Sequence, residues 1–432
     1  MTLRPLGNLF IVAVAFTGTW GLWLPAMAGG FWLLLTLVLS AGLALESIRN
    51  GSWRIDAQSP AAPRLHLGRR ELFHFTLTSN HSRPLHVEWQ VIHPAGVRGP
   101  SEKQSGTLFP GKPLVCQLPL QATRMGTTAP LEIGLRLRGA LNLAWWRRQL
   151  PLCTPGIRVE PDHDNKLLTT RTSATQSGRI GKREGAGLEL HHLRHYRSGD
   201  PRHALDWKAT ARTGRLITRV TSQEQRLQLV IALDFGRTSR LETDGLQQLG
   251  HYINLAARLS ATAAANGDHV GFVSFADSVR HIVAPARGDA ALPRIRRALM
   301  ELECRPVESD LPGAALTVRR LLRQRAVIIL LSDLHQASAA SSLATALRTW
   351  LPKHQPVLVG LTSPEIAAMA STASSGWLAP YQTVAAGEYL AHLDASARSL
   401  RQLGAITLTT SPASLETRIT REYQRLRARG RA

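Results

Sequence analysis

At 432 residues the chain is longer than one ordinary domain, and a hydrophobic fraction of 44% excludes a disordered chain and allows sizeable cores. Against 30 Asp and Glu stand 52 Lys and Arg, a formal charge of +22, which points to nucleic acid, anionic lipid or an acidic protein as partner. Cys116, Cys153 and Cys304 are far apart, odd in number and without CxxC spacing, so neither a disulfide framework nor a zinc site follows and a reducing compartment is the simpler reading.

Between Arg4 and Glu46 there is no charged residue, and the run is long enough for two bilayer crossings at roughly 20 residues each. Residues 1–48 therefore read as a transmembrane helical hairpin that turns at Pro25–Gly30, with Trp20, Trp23 and Trp32 at the lipid–water interface. Arg4 precedes the pair, and Arg49, Arg54, Arg64, Arg69 and Arg70 follow it. This bias places both ends in the cytoplasm, in an inner (cytoplasmic) membrane protein with the bulk of its chain cytoplasmic and lipid contacts through the hairpin. The rival is a signal peptide ending at Ala26-Met27-Ala28, with the second apolar span as a lone anchor.

Residues 49–160 alternate in strand fashion between Gly, Pro, Asn and Ser breaks, the pattern of an antiparallel β-sandwich. Residues 161–225 hold a polar linker and then a charged motif. Lys182 is no phosphate-loop lysine, because Arg183 follows it where a Walker motif needs Ser or Thr. From 226 to 432 apolar strands alternate with amphipathic helices, which implies a doubly wound, mainly parallel sheet. Asp234 and Asp333 end two of its strands, at the carboxyl side where ligands gather in such sheets.

The stretch Tyr196 to Arg212, YRSGDPRHALDWKATAR, reads as one helix capped by Asp200 before Pro201 and stopped by Gly214. Arg202 with Asp206 and Lys208 with Arg212 share its ionic face, while Ala204, Trp207 and Ala211 form a buried one. Two roles stand open: a clamp where the linker docks on the sheet domain, or a recognition surface for a partner or nucleotide. Catalysis lacks support, since no nucleophile–base pair and no GxSxG elbow is present. His191, His192 and His195 lack the carboxylate–histidine pattern of a metal site. The basic C-terminus, Arg418 to Arg431, reads as a helix with a solvated or lipid-facing side.

The segment from Glu189 to Arg212, ELHHLRHYRSGDPRHALDWKATAR, resembles the signature of the DUF58 family through Glu189, Arg194, Tyr196, Gly199, Asp200, Arg202, Asp206, Trp207, Ala211 and Arg212. Upstream, RMGTTAPLEIGLRLRGALNLAWWRR is similar to the end of that family's β-sandwich, and the downstream alternation is similar to its von Willebrand factor A-like domain. The resemblance thus runs over essentially the whole chain. It implies a membrane-anchored bacterial protein acting beside a MoxR-type AAA+ ATPase as an adaptor or in maturing other proteins, with no enzymatic activity. A-type domains often hold Mg²⁺ through an Asp-x-Ser-x-Ser run, a Thr and a later Asp, all hard oxygen ligands. Here Asp234, Thr238, Ser309 and Asp333 match that set, but Gly236 has no side-chain oxygen and Arg237 brings a cation close, so a weakened Mg²⁺ site and a degenerate one are both open. Two other classes remain: a nucleic-acid- or lipid-binding protein, weakened by arginines spread over every segment, and a metal-dependent hydrolase using Asp234 and Asp333.

Overall fold

The computed structural model describes residues 2–3, 11–12, 14–16, 25–51, 53–59, 63–82, 84–138, 144–153, 156–162, 183–223, 227–334, 337–371 and 377–429. The chain divides into two compact units, Met1–Glu160 and Pro161–Ala432.

The first unit overturns the expected hairpin. Among the described residues no helix is long and apolar enough to cross a membrane. The unit is mostly strands, and its described N-terminus is β1 (Thr2–Leu3). A helix, α1 (Pro25–Gly51), runs straight through the Pro25–Gly30 stretch expected to turn; proline is tolerated in a first helical turn, where its missing N–H has no intrahelical partner. Its later part carries Glu46, fully buried and accepting a hydrogen bond from the Trp146 indole at 3.3 Å, which is protein interior chemistry. The expected first crossing falls largely outside the described residues, and an inner-membrane location loses the support that the hairpin gave it.

The remaining strands of this unit are β2 (Ile55–Gln58), β3 (Arg64–His66), β4 (Arg70–Ser79), β5 (Leu85–Ile92), β6 (Val97–Arg98), β7 (Gln104–Leu108), β8 (Leu114–Ala122), β9 (Gly126–Thr127), β10 (Leu131–Arg138), β11 (Ala144–Cys153) and β12 (Arg158–Glu160). They form a five-stranded antiparallel sheet in the order β1-β11-β10-β5-β7, a four-stranded one, β2-β4-β8-β6, and a small β3-β12-β9 sheet. Burial alternates strictly along β10 and β5, so Ile133, Leu135 and Leu137 face a core with Val87, Trp89 and Val91 while their neighbours face outward.

The second unit opens with a two-stranded ribbon, β13 (Arg183–His195) and β14 (Ile217–Gln223), joined through a 3₁₀ turn and the short helix α2 (Trp207–Thr213). There follow β15 (Gln228–Asp234), the small hairpin β16 (Glu242–Thr243) and β17 (Leu246–Gln247), α3 (Gln248–Ala265), β18 (His269–Phe275), β19 (Val279–Arg287), α4 (Gly288–Met300), α5 (Leu311–Leu321), β20 (Val327–Leu331), α6 (Ala337–Trp350), β21 (Gln355–Leu361), α7 (Pro364–Ser371), α8 (Ala379–Gln402), β22 (Ile406–Thr410) and α9 (Pro412–Arg429). The six-stranded sheet has the order β19-β18-β15-β20-β21-β22, with only the edge strand β19 antiparallel to its neighbour. Val230, Ala232, Ile328 and Leu330 pack into one core with Leu311, Ala315, Leu347 and Trp350 of α5 and α6. The chain leaves β15 for β18 on one side and returns for β20 on the other. The carboxyl ends of β15 and β20 thus flank the point where the winding reverses, the usual crevice of an open α/β sheet.

Candidate functional site

Two side-chain constellations hold the residues that the sequence singled out, both in the second unit. The first is the charged motif. Asp200 is its centre: the Arg194 guanidinium donates to both carboxylate oxygens at 2.8 and 2.7 Å, the Arg197 backbone N–H donates at 3.0 Å and the Thr218 hydroxyl at 3.1 Å. A bidentate guanidinium and two further donors make this a strong, directional clamp. They hold the carboxyl well below its usual range, at about 2, with the Arg194 hydrogen bonds as the largest cause. The unfolded carboxyl titrates near ~3.9, so this group's contribution is complete above that pH and is lost as pH falls through about 2. Wild type therefore loses more stability than Asp200→Asn between about pH 5 and pH 3, measured by urea midpoints; equal slopes in the two proteins mean the clamp does not form.

Asp200 therefore does not cap a helix, as its position before Pro201 implied. Its oxygens are already engaged, residues 202–204 make only a 3₁₀ turn, and Leu205 bridges to Thr218. The α-helix starts afresh at Trp207, where Asp206 is the N-cap and accepts the Ala209 N–H at 2.9 Å; it ends at Gly214 with φ +66°, a left-handed cap that suits glycine. Gly199 likewise holds the preceding turn at φ +100°. The Asp206 N–H donates to the Ile217 carbonyl at 2.8 Å and the Ile217 N–H to the Thr210 hydroxyl at 3.0 Å, pinning α2 to β14. Arg219 lies 3.4 Å from Asp206. Polar contacts, not an apolar face, dock this helix. Trp207, expected to be buried, is 67% exposed, and Arg202, Lys208, Ala211 and Arg212 are exposed as well. Tyr196 donates its N–H to the Leu216 carbonyl, and Glu189 stands opposite Ser222 in the β13–β14 ladder. His195 is exposed on the strand. Among the described residues no group of three His, Cys, Asp or Glu side chains is placed to hold a metal.

The second constellation is the crevice at the carboxyl ends of β15 and β20, an open pocket of about 160 Å³ lined by Asp234, Arg237, Thr238, Ser309, Ser332 and Asp333. Asp234, Thr238, Ser309 and Asp333 are thus brought together. Asp234 is buried; its Oδ1 accepts from the Gly236 N–H at 2.9 Å and from the Ser309 hydroxyl at 2.5 Å, and its Oδ2 accepts from the Ser332 hydroxyl at 2.7 Å. Burial pushes this carboxyl up from the ordinary carboxylate range, against the pull of those three donors. Asp333 is buried two residues past β20, and Arg237 pairs with Glu308 at 2.9 Å on the rim.

This donor set does not fit an octahedral magnesium ion as it stands. Oδ1 of Asp234 has both acceptor positions filled, and a Cβ built on Gly236, where a second serine ligand would sit, lies 2.2 Å from the Ser309 hydroxyl oxygen. Millimolar Mg²⁺ is expected to leave the melting temperature unchanged, whereas a saturable rise would show a site that binds the ion on rearrangement. The sequence reading missed Ser332 and Thr218, whose hydroxyls complete the two constellations. Ser332 was overlooked beside the more conspicuous Asp333, and nothing in the spacing of the motif points across the ribbon to Thr218.

Residues 192–372 match DUF58, described as a protein of unknown function. The DUF58 match takes in both constellations and covers under half of the chain, less than the whole-chain resemblance implied. No curated protein matches the chain. Among solved structures, the conserved hypothetical protein BatB from Bacteroides thetaiotaomicron is 14% identical over 46% of this chain and 98% of its own, with a TM-score of 0.30. An uncharacterized membrane spanning protein from Vibrio fischeri is 9% identical over 46% and 98%, with a TM-score of 0.19. A FixG-related protein from Vibrio parahaemolyticus is 14% identical over 24% and 96%, with a TM-score of 0.16. Similarity this low carries no argument about this protein.

Proposed function

We propose that this protein is a non-enzymatic scaffold that binds an acidic protein partner through the outer face of the DUF58 motif. The observation that carries the reading is Trp207, an indole left 67% exposed on a helix whose base is held by the Asp200 and Asp206 contacts. A large aromatic held in water on a rigid support, amid arginines, has the make-up of an interface hot spot. Along the same segment Arg197, Arg202, Lys208, Arg212 and Arg215 are exposed, and Leu193 and Leu216 add apolar surface. The family resemblance makes a MoxR-type AAA+ ATPase the first partner to test. Nucleic acid is disfavoured because several arginines are committed inside the fold: Arg148 donates to the Trp53 carbonyl, Arg258 to that of Asp162 and Arg427 to that of Asn266.

The test is the affinity of the full chain for the purified ATPase. Trp207→Ala is expected to weaken binding about 30-fold, the loss of one hot-spot side chain, with an unchanged melting temperature. A variant that binds as tightly as wild type places the contact elsewhere.

A further inference from the structure

A larger pocket than the one at Asp234, about 390 Å³, lies on the sheet of the first unit. Its centre is written by the strand register. Arg136 on β10 stands directly between Glu88 on β5 and Arg147 on β11, and the next outward rung along is Gln90, Gly134, Gln149. On the outward face of the middle strand, Gly134 therefore leaves a hollow flanked by two glutamines and closed at one end by the charged rung. Lys103 also lines it.

Two features of this hollow are unexplained by folding. First, the fold does not need a glycine at 134. Its φ is not positive, and a Cβ there would meet nothing closer than the Gln90 carbonyl oxygen at 3.6 Å, an ordinary contact. A glycine inside a strand weakens it and commonly marks the close approach of a ligand or another backbone. Second, Arg136 and Arg147 are like charges placed directly opposite one another, an unfavourable pairing in a sheet. Among the described residues, the side chains of Lys103, Arg136 and Arg147 make no ion pair or hydrogen bond. Arg148, which donates to the Trp53 carbonyl, also lines the pocket, and four cations against the one carboxylate of Glu88 leave the rim positive.

We propose that this hollow is a binding site for a small organic oxyanion, a phosphate or carboxylate compound whose charged group lies between the guanidiniums of Arg136 and Arg147 and whose body rests over Gly134. Adjacent guanidinium forks match the geometry of either oxyanion, and the charge they place side by side is neutralised by the ligand. The Gln149 amide supplies hydrogen bonds to the body, beside a Gln90 amide that already donates to the Ser101 carbonyl at 3.0 Å, and the volume suits a small molecule.

The experiment is calorimetric titration of the full chain with pyrophosphate and, separately, with citrate. Saturable binding of either probe is expected, and which of the two binds more tightly assigns the site to phosphate or to carboxylate. Arg136→Gln and Arg147→Gln should each weaken it at least about tenfold, the scale of one lost charge-assisted bond. Gly134→Val should fill the hollow and abolish binding while leaving the melting temperature equal or higher, because a β-branched residue favours a strand. Arg296→Gln/Arg297→Gln, which removes as much charge from the exposed side of α4, should change nothing. The proposal is overturned if neither probe binds at millimolar concentration, if Gly134→Val binds as wild type does, or if the α4 control loses as much affinity as the pocket variants.

Discussion

Asp234→Ala is expected to destabilise the second unit by about 3–5 kcal/mol. The carboxyl joins the end of β15 to the loop carrying Ser309 and to Ser332 after β20 through three donors. Removing it leaves the Gly236 N–H and two hydroxyls without their acceptor, at about 1–3 kcal/mol for each group that stays buried and unsatisfied. Rotation of the hydroxyls recovers part of this, which sets the upper end. The Ser239 hydroxyl, which donates to the Asp234 carbonyl at 2.8 Å, keeps its partner. Hydrogen exchange of the β15 and β20 amides measures the loss. A change below about 1 kcal/mol would mean that Asp234 is free to serve a ligand and is not a structural acceptor.

Arg258→Ala is expected to follow, at about 3 kcal/mol, the low end for a broken buried ion pair because the guanidinium keeps some exposure, 21%. Arg258 lies on α3 and donates to the Asp162 carbonyl at 3.1 Å, to the Asp162 carboxylate at 2.5 Å and to Glu416 on α9. The Asn254 side chain accepts the Asp162 N–H at 2.9 Å, so one arginine joins the start of the unit to its last helix. The substitution takes the guanidinium away from two carboxylates that are 10% and 21% exposed. Arg258→Met combined with Asp162→Asn and Glu416→Gln should restore most of the loss, since neutral partners have no uncompensated charge. A triple variant as unstable as Arg258→Ala would locate the effect in the arginine's packing.

How far each site is legible in the sequence depends on how local its physics is. Buried parallel strands appear as runs of Val, Ile and Leu, so the apolar run ending at Asp234 marks β15 and places that aspartate at the carboxyl end of a strand. The N-terminus misled because hydropathy counts residues along the chain and cannot register Glu46 meeting the Trp146 indole or Thr2 pairing with Trp145, contacts made far along the sequence. Trp207 misled for a related reason. The sequence offers two N-caps, Asp200 and Asp206, and only the bond from Arg194 to Asp200 decides between them. Once the helix starts at Trp207, the periodicity that buried the indole no longer applies. Gly236 reads in sequence as a missing ligand; in space, the Ser309 hydroxyl occupies the volume a side chain would need.

The central claim is that Trp207 is a contact residue, and the most direct measurement is photocrosslinking in living cells from a photoreactive phenylalanine analogue at 207, with the same analogue at Met369, another exposed apolar position in this unit, for comparison. The account predicts a crosslink to an AAA+ ATPase from position 207 that is absent from position 369 and is weakened by Arg212→Glu. Crosslinks from 369 alone, or none from 207 beyond the chain itself, would contradict it.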